Sequence, residues 1–475
     1  MKIAVSAAAV VLLFKLLLLA MIGPIHSADA PSYSNFADAM IASSRWLHDA
    51  DLTSGVFPIT TFRIIGYPAV IAAAKLLAGT AWPYTVVGLQ FAVSTGVFIA
   101  IFCLGTTLGL PRNWAVAGAL AYATSLQLSL DQCLMSDSLN ASMFILAVVI
   151  FLHGETLRAW QIVSSGLLLA AAFLTREILP YMMIALLPLL AIRCAFATGA
   201  PRLVTRLAPC LLVCVPLAAA YQSYELWNWR RTGERFVTTT AQLNALLSVV
   251  YAAKSEPSLF SGNSALDRHA APILKQYKYE EAVAINDALF RDGYVATQIS
   301  QMALDKYETV WRQHPLAMLN LIRIGTSENL VKLAVRPIRS VCEIFEWSDR
   351  PLCYDYRDLY RKLFHHPTNM HFGEVLVLVA TTCQNALSII LSALFFAGIP
   401  ILLLMAWRAG TIVSDRPLAI AAGFWMLVAG WHLISAEVIY NDRYMMPVIP
   451  FIIIGGLVAA TSLKNRDLKR CLARS

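Results

Sequence analysis

The most constraining feature of this chain is a series of apolar runs too long for the core of a soluble domain. Residues Ile3 to Ile22 are interrupted by a single charge, Lys15, and comparable runs recur along the sequence. About 18 apolar residues in a row suffice for a helix to cross a bilayer core of ~30 Å. In lipid such a helix also satisfies its own backbone hydrogen bonds. Composition agrees: 58% of the 475 residues are hydrophobic and 14% charged, against about 25% charged in a soluble domain. The sequence is therefore expected to fold as an all-α polytopic membrane protein. Spans are placed near residues 3–22, 84–108, 114–130, 136–153, 159–175, 178–192, 207–223, 383–407, 417–435 and 445–463, roughly ten in all. They divide the chain into an N-terminal transmembrane module (1–223), a long mixed segment (224–382) and C-terminal helices with a basic tail (383–475).

Alternating these spans across a membrane sorts the basic residues. One side collects Arg112, Arg158, Arg193, Arg202, Arg206, Arg408, Arg416 and the tail KNRDLKRCLARS, while the short loops of the other hold chiefly Arg176 and Arg443. Cytoplasmic loops carry this excess of Lys and Arg. The net charge of +8 is thus topological, and nucleic acid is not an expected partner. The same alternation puts SADAPSYSNFADAM, FRIIGYP, LMSDSLN, LTREILP, AEVIYNDRYMMP and the 224–382 segment on the outer face. Charges at helix ends cost less than charges at the bilayer centre, so this pattern permits a surface site without requiring one.

The N-terminal run also has a second reading. Ala28-Asp29-Ala30 fits the small-x-small pattern of a signal-peptide cleavage site. A signal-peptide apolar region is about 7–15 residues, however, and the run here is longer. A retained helix is expected, with Asp29 just outside the membrane.

Between 224 and 382 the pattern is amphipathic. EEAVAINDALF and SQMALDKYETVWRQHPLAMLNLI show helical periodicity, as does GYPAVIAAAKLLAG in the first outer loop. The chain has no Gly-rich phosphate loop, dinucleotide fingerprint or HExxH motif. HHPTNMH (365–371) comes without further ligands at metal-site spacing, and Asp49-Ala50-Asp51 reads as a solvated turn. No cofactor is implied, and a divalent metal has no supporting motif. Cys103, Cys194, Cys210, Cys214 and Cys383 lie in or at spans and read as small apolar groups. Cys342 and Cys353 share the outer segment, where an oxidising compartment would allow one bridge.

Asp29, Tyr33, Phe36 and Ala37, followed by FRIIGYP with Arg63, Gly66, Tyr67 and Pro68, resemble the first outer loop of the polyprenyl-phosphate-sugar glycosyltransferases of GT-C type. That class includes protein O-mannosyltransferases and the aminoarabinose and galacturonic acid transferases of bacterial lipopolysaccharide. MSDSLN with Asp137, AAFLTRE with Arg176, NWRRTGERFVTTT (228–240) and NDRYMMPVIP with Arg443 and Tyr444 follow in the family's order. Each motif is loose. Their order and their common side carry more weight.

The resemblance implies a GT-C fold in a bacterial inner membrane, with the active site facing the periplasm. It implies transfer of a monosaccharide from a polyprenyl-phosphate donor to a hydroxyl of a glycan, lipid or protein acceptor. Its near relatives generally work without metal, whereas oligosaccharyltransferases of the wider class use one. Such a transfer needs a base for the attacking hydroxyl and cations that steady the departing phosphate, roles suited to carboxylates and guanidinium groups. By resemblance Asp29 is the base with Tyr33 beside it, and Asp137 is the second-loop acid. Arg63, Tyr67, Arg176, Arg443 and Tyr444 bind the donor phosphate or substrate.

Simpler roles compete with these. Asp29 and Asp137 suit helix caps, Arg176 can pair with Glu177, and Arg443 can anchor at the interface beside Tyr444. Two rival classes remain: a non-catalytic membrane scaffold, and a transporter or flippase, in which polar residues deep in spans or helices broken at matched positions in two halves are expected. This sequence offers Lys15, scattered prolines and no evident repeat.

Overall fold

The computed structural model describes residues 1–27, 29–197, 203–335, 356–365, 370–408, 410, 415–438 and 442–472. Among them the regular structure is helical, apart from one isolated bridge between Ile25 and Cys133. Five helices, over Lys2–Met21, Gly66–Thr107, Leu179–Phe196, Arg416–Ala436 and Tyr444–Lys464, are long and apolar enough to cross a membrane. Shorter apolar helices cover Ser136–Leu152, Ala159–Thr175, Ala241–Ala253 and Leu394–Arg408.

The N-terminal half runs α1 (Lys2–Ile22), α2 (Ala30–Ala42), α3 (Ile59–Phe62), α4 (Gly66–Ala78), α5 (Trp82–Thr107), α6 (Arg112–Ala123), α7 (Leu126–Leu130), α8 (Ser136–Leu152), α9 (Ala159–Thr175), α10 (Leu179–Ala197) and α11 (Leu203–Thr232). The span expected at 114–130 is not one helix. Ser125 adopts an extended conformation and its side chain accepts from the Gln127 backbone N–H, so it caps a new short helix, α7, where the apolar pattern alone predicts continuation.

α8 lies at the centre of this half, packed on α9 and α5, while α9 packs on α11. α10 packs on the helix Arg416–Val438, which in turn packs on Ile449–Leu472. Phe98, Phe144, Phe151, Phe173, Phe424, Trp431 and Phe451 fill the interior. Leu13, Leu89, Val163, Leu167, Ile184 and Leu211 remain exposed on the outside. Helices apolar on both sides suit a bundle whose outer solvent is lipid.

The two ends of α8 are chemically opposite. Asp137 lies in its first turn. At its other end Arg193 donates to the carbonyls of Phe151, Gly154 and Glu155, and Arg416 donates to those of Leu152 and Gly154. An acid at the N-terminus and cations at the C-terminus both complement the helix dipole. The basic end carries Arg193 and Arg416, and the end that carries Asp137 lies ~25 Å away at 1.5 Å per residue.

The 224–382 segment contains α12 (Ala241–Ala253), α13 (Ala265–Ile273), α14 (Tyr279–Arg291), α15 (Ala296–Gln313) and α16 (Pro315–Val335). They enclose a separate core that includes Leu246, Val250, Phe260, Leu266, Ile285, Leu289, Ile299 and Val310. α14 buries Ala282, Ile285, Asn286 and Leu289, the i, i+3, i+4, i+7 stripe of an amphipathic helix. The stretch SQMALDKYETVWRQHPLAMLNLI breaks at His314, because Pro315 excludes the residue before it from the helical region. Cys342, Cys353 and residues 366–369 of HHPTNMH lie outside the described residues.

Candidate active site

Two loops far apart in sequence are stitched together where α1 ends. The Ile25 N–H donates to the Gln132 carbonyl at 3.0 Å, and the Leu134 N–H donates to the Ile25 carbonyl at 2.9 Å. The Gln132 amide adds a bond to the Gly23 carbonyl at 2.8 Å. These contacts set the segment entering Asp29 against the segment entering Asp137.

Asp29 stands at the N-cap of α2, but its side chain makes no capping hydrogen bond. Its carboxylate accepts instead from Arg63 at 2.6 Å. The Arg63 Nε donates to Ser32 Oγ at 3.0 Å, and the guanidinium lies 4.8 Å from the ring centres of both Tyr33 and Phe62. Carboxylate, hydroxyl and two aromatic faces thus fix one arginine.

A second acid–arginine pair forms where α8 meets the end of α9. Asp137 is not the cap of α8, which is Met135. The Asn140 amide and the Thr175 hydroxyl both donate to the Ala172 carbonyl, at 2.8 and 2.7 Å, which fastens the last turn of α9 to α8. Arg176 follows immediately and forms an ion pair with Asp137. Its guanidinium lies 4.9 Å from the ring centre of Tyr444, whose carbonyl accepts from the Trp431 indole at 2.6 Å. Arg443 falls in the same helical turn, Asp442–Val448, and its side chain lies outside the described residues.

Tyr33 stands between the two pairs. Its hydroxyl lies 2.9 Å from Ser136 Oγ, one residue before Asp137, while its ring carries Arg63. Burial pushes the phenol above its ordinary pKa, with the nearby Arg63 charge working against that shift, so at neutral pH it is a neutral hydrogen-bonding group. Tyr67 packs edge-on against Tyr33 with centroids 5.0 Å apart. Fully buried, it donates to Gln90 Oε1 at 3.0 Å and so supports Tyr33 from behind. α4 approaches this region closely because Gly66 has no side chain: a Cβ there would lie 2.4 Å from the Leu174 carbonyl oxygen.

The pairs differ in access. Asp29 and Arg63 are 26% and 16% exposed, Asp137 and Arg176 only 4% and 12%. An incoming hydroxyl can reach the first carboxylate, whereas the second is sealed behind its arginine. The two carboxylates balance the two guanidinium groups, and the Glu177 carboxylate adds a further negative charge that acts on both arginines.

Several residues that brace this region have no site role assigned to them from the sequence. Arg231, within NWRRTGERFVTTT, donates to the carbonyls of Trp46 at 3.2 Å and Thr60 at 2.7 Å, and twice to Asn228 Oδ1. It therefore clasps the loop between α2 and α3 just before Arg63. Lys15 is buried and donates to Asp131 at 2.6 Å and to Ser94 at 2.9 Å. Asp131 also accepts from Gln127 and Ser138. The signal was an isolated cation within an apolar run and an isolated acid just after another. Asp49 pairs with Arg45 in an exposed turn, and Asp51 accepts from Thr53 in the same turn. No group of three or more His, Cys, Asp or Glu side chains among the described residues is placed to hold a metal ion.

No protein-family model matches the chain, and no curated protein matches its sequence. Solved structures with a similar arrangement include the archaeal oligosaccharyltransferase AglB from Archaeoglobus fulgidus, in complex with an inhibitory peptide and a dolichol-phosphate. The overlap has a TM-score of 0.46 at 12% identity over 99% of this chain and 51% of AglB, so the chain spans about half the length of that protein. ArnT from Cupriavidus metallidurans bound to undecaprenyl phosphate is also similar, with a TM-score of 0.35 and 15% identity over 90% of this chain and 77% of ArnT.

Proposed function

We propose that this protein is a membrane glycosyltransferase of GT-C type that moves a monosaccharide from a polyprenyl-phosphate donor to an acceptor hydroxyl. The observation that carries this reading is the side-chain arrangement itself: Asp29–Arg63 and Asp137–Arg176 bracket Tyr33 at the Asp137 end of α8. A polyprenyl tail stays in lipid while its head group lies at the surface, where this cluster sits. The acceptor oxygen attacks the anomeric carbon and Asp29 takes its proton. The bond from that carbon to the phosphate oxygen breaks, and the polyprenyl phosphate leaves with the bonding electrons. Arg63 and Arg176 hold that phosphate and offset the charge it gains. Asp137, sealed against Arg176, orients that guanidinium, and Tyr444 supports it from its other face. Arg443 is a further phosphate ligand in this proposal, by resemblance. The protein is placed in a bacterial inner membrane with the cluster facing the periplasm, a reading supported by the charge bias of the loops. The acceptor is a hydroxyl of a glycan, lipid or protein.

Mass spectrometry of lipid extracts tests the reading in cells lacking the protein and in cells carrying wild type or Asp29→Asn. A polyprenyl-phosphate sugar accumulates in the null and in Asp29→Asn and clears with wild type; its mass gives the sugar class. No change in such lipids, in a strain shown to make the donor, refutes the proposal.

A further inference from the structure

The first turn of α8 presents three consecutive polar side chains, each fixed by a different partner. Ser136 meets the Tyr33 hydroxyl at 2.9 Å, Asp137 pairs with Arg176, and Ser138 donates to the Asp131 carboxylate. The first two partners belong to the candidate site. The third does not: Asp131 is fully buried, and its other oxygen is held by Lys15, itself 1% exposed, at 2.6 Å. Lys15 comes from α1, 116 positions earlier in the chain. A cation and an anion withdrawn from water inside an apolar bundle carry a desolvation cost, so their retention calls for a specific role.

We infer that Lys15 and Asp131 form a positioning pair that sets the register of Asp137, and through it of Arg176. Lys15 keeps the Asp131 carboxylate at the place where Ser138 can bond to it, and Ser138 in turn holds the α8 turn against which Arg176 docks. Gln127 lies on the same oxygen of Asp131 and 3.3 Å from Ser138 Oγ, which narrows the geometry further. Neither Lys15 nor Asp131 contacts substrate; they act through Ser138. This inference rests on the proposed glycosyl transfer for its kinetic consequence but not for its structural one.

The test uses the full chain in lipid nanodiscs, with the polyprenyl-phosphate sugar that accumulates in the null strain as donor. Lys15→Met leaves a buried anion without its counterion, Lys15→Met with Asp131→Asn restores neutrality and retains an acceptor for Ser138, and Ser138→Ala cuts the link without stranding a charge. A misplacement of 1 Å costs a reaction on the order of 10²-fold. In Lys15→Met, kcat is therefore expected to fall on the order of 10²-fold with the donor KM within about threefold. Backbone amides of residues 130–138 exchange with deuterium faster in that variant. The double variant recovers most of both changes, and Ser138→Ala lowers kcat with raised exchange confined to residues 130–138. Full kcat in both Lys15→Met and Ser138→Ala overturns the inference, as does a double variant no better than Lys15→Met. If wild type transfers no sugar, the glycosyltransferase reading fails, and exchange decides the inference alone. Raised exchange confined to 130–138 then supports it, and unchanged exchange overturns it.

Discussion

Gly66→Ala introduces one methyl group where α4 touches the end of α9. The added Cβ would lie 2.4 Å from the Leu174 carbonyl oxygen and 2.6 Å from its carbon, whereas ordinary contact begins near 3.4 Å. Both atoms are backbone, so no side chain can swing away, and the two helices must separate by about 1 Å, the difference between those contacts. Arg63 lies three residues before Gly66, and Arg176 lies two residues after Leu174. The separation therefore enters between the two guanidinium groups proposed to share one phosphate. A displacement of that size costs on the order of 10²-fold in rate, about 2.7 kcal/mol of activation free energy. Overpacking costs stability as well, typically 1–3 kcal/mol. The assay is sugar transfer by purified protein, with thermal unfolding measured in parallel. Gly55→Ala is the control, because a Cβ there meets nothing within 4 Å, and it should behave as wild type. Transfer by Gly66→Ala within about threefold of wild type would refute the argument that the rate depends on this α4–α9 spacing.

Arg231→Lys keeps the charge but loses the planar fork that reaches the Trp46 and Thr60 carbonyls and Asn228 together. Hydrogen bonds to charged groups contribute about 1.5–3 kcal/mol each, so limited proteolysis is expected to cut within residues 46–60 at lower protease concentration than in wild type, with transfer reduced roughly tenfold by misplacement of Arg63. Glu281 is a pH-sensitive anchor of the 224–382 segment: burial works to raise its carboxyl pKa, but the backbone N–H groups of Gln276, Lys275, Lys278 and Tyr277 outweigh it and the net shift is downward. A depressed folded-state value means the stabilisation is fully present above the unfolded glutamate pKa of about 4.3 and is lost as pH falls through the folded value. Hydrogen exchange of α14 should therefore rise as pH falls through this window in wild type, after correction for intrinsic rates, while Glu281→Gln shows weaker protection at neutral pH and a flatter profile.

Much of the helical framework was legible because it depends on local pattern. Apolar runs long enough to span, such as 416–436, and a polar-to-apolar stripe such as that of α14 declare themselves one segment at a time. The break between α6 and α7 did not, because it depends on one serine capping a turn inside an otherwise apolar run. The residues of the candidate site were named from the sequence, yet their pairings were not. Arg63 reaches Asp29 across 34 positions, and Arg176 meets Asp137 rather than simply its neighbour Glu177, because the end of α9 is fastened to the start of α8. The Lys15–Asp131 pair was least visible. A lone charge in an apolar run shows that a partner is needed, but only the packing of α1 against α5 and the α7–α8 corner shows which one. Arg231 lay within a motif noted for its family likeness, and its role as a clasp appears only once the loop it holds is folded.

The aromatic contact behind that clasp has an optical consequence. Trp46, in the loop between α2 and α3, and Trp227, on α11, lie edge to face with ring centroids 5.8 Å apart and planes at 82°. Two indoles at that distance couple their ultraviolet excitations, and a coupled pair held in a skewed geometry splits the circular dichroism band into lobes of opposite sign. The difference spectrum between wild type and Trp46→Phe isolates that couplet from the other tryptophans. Undocking of the loop abolishes it, so the protein carries an unlabelled optical gauge of whether the segment that delivers Arg63 is in place.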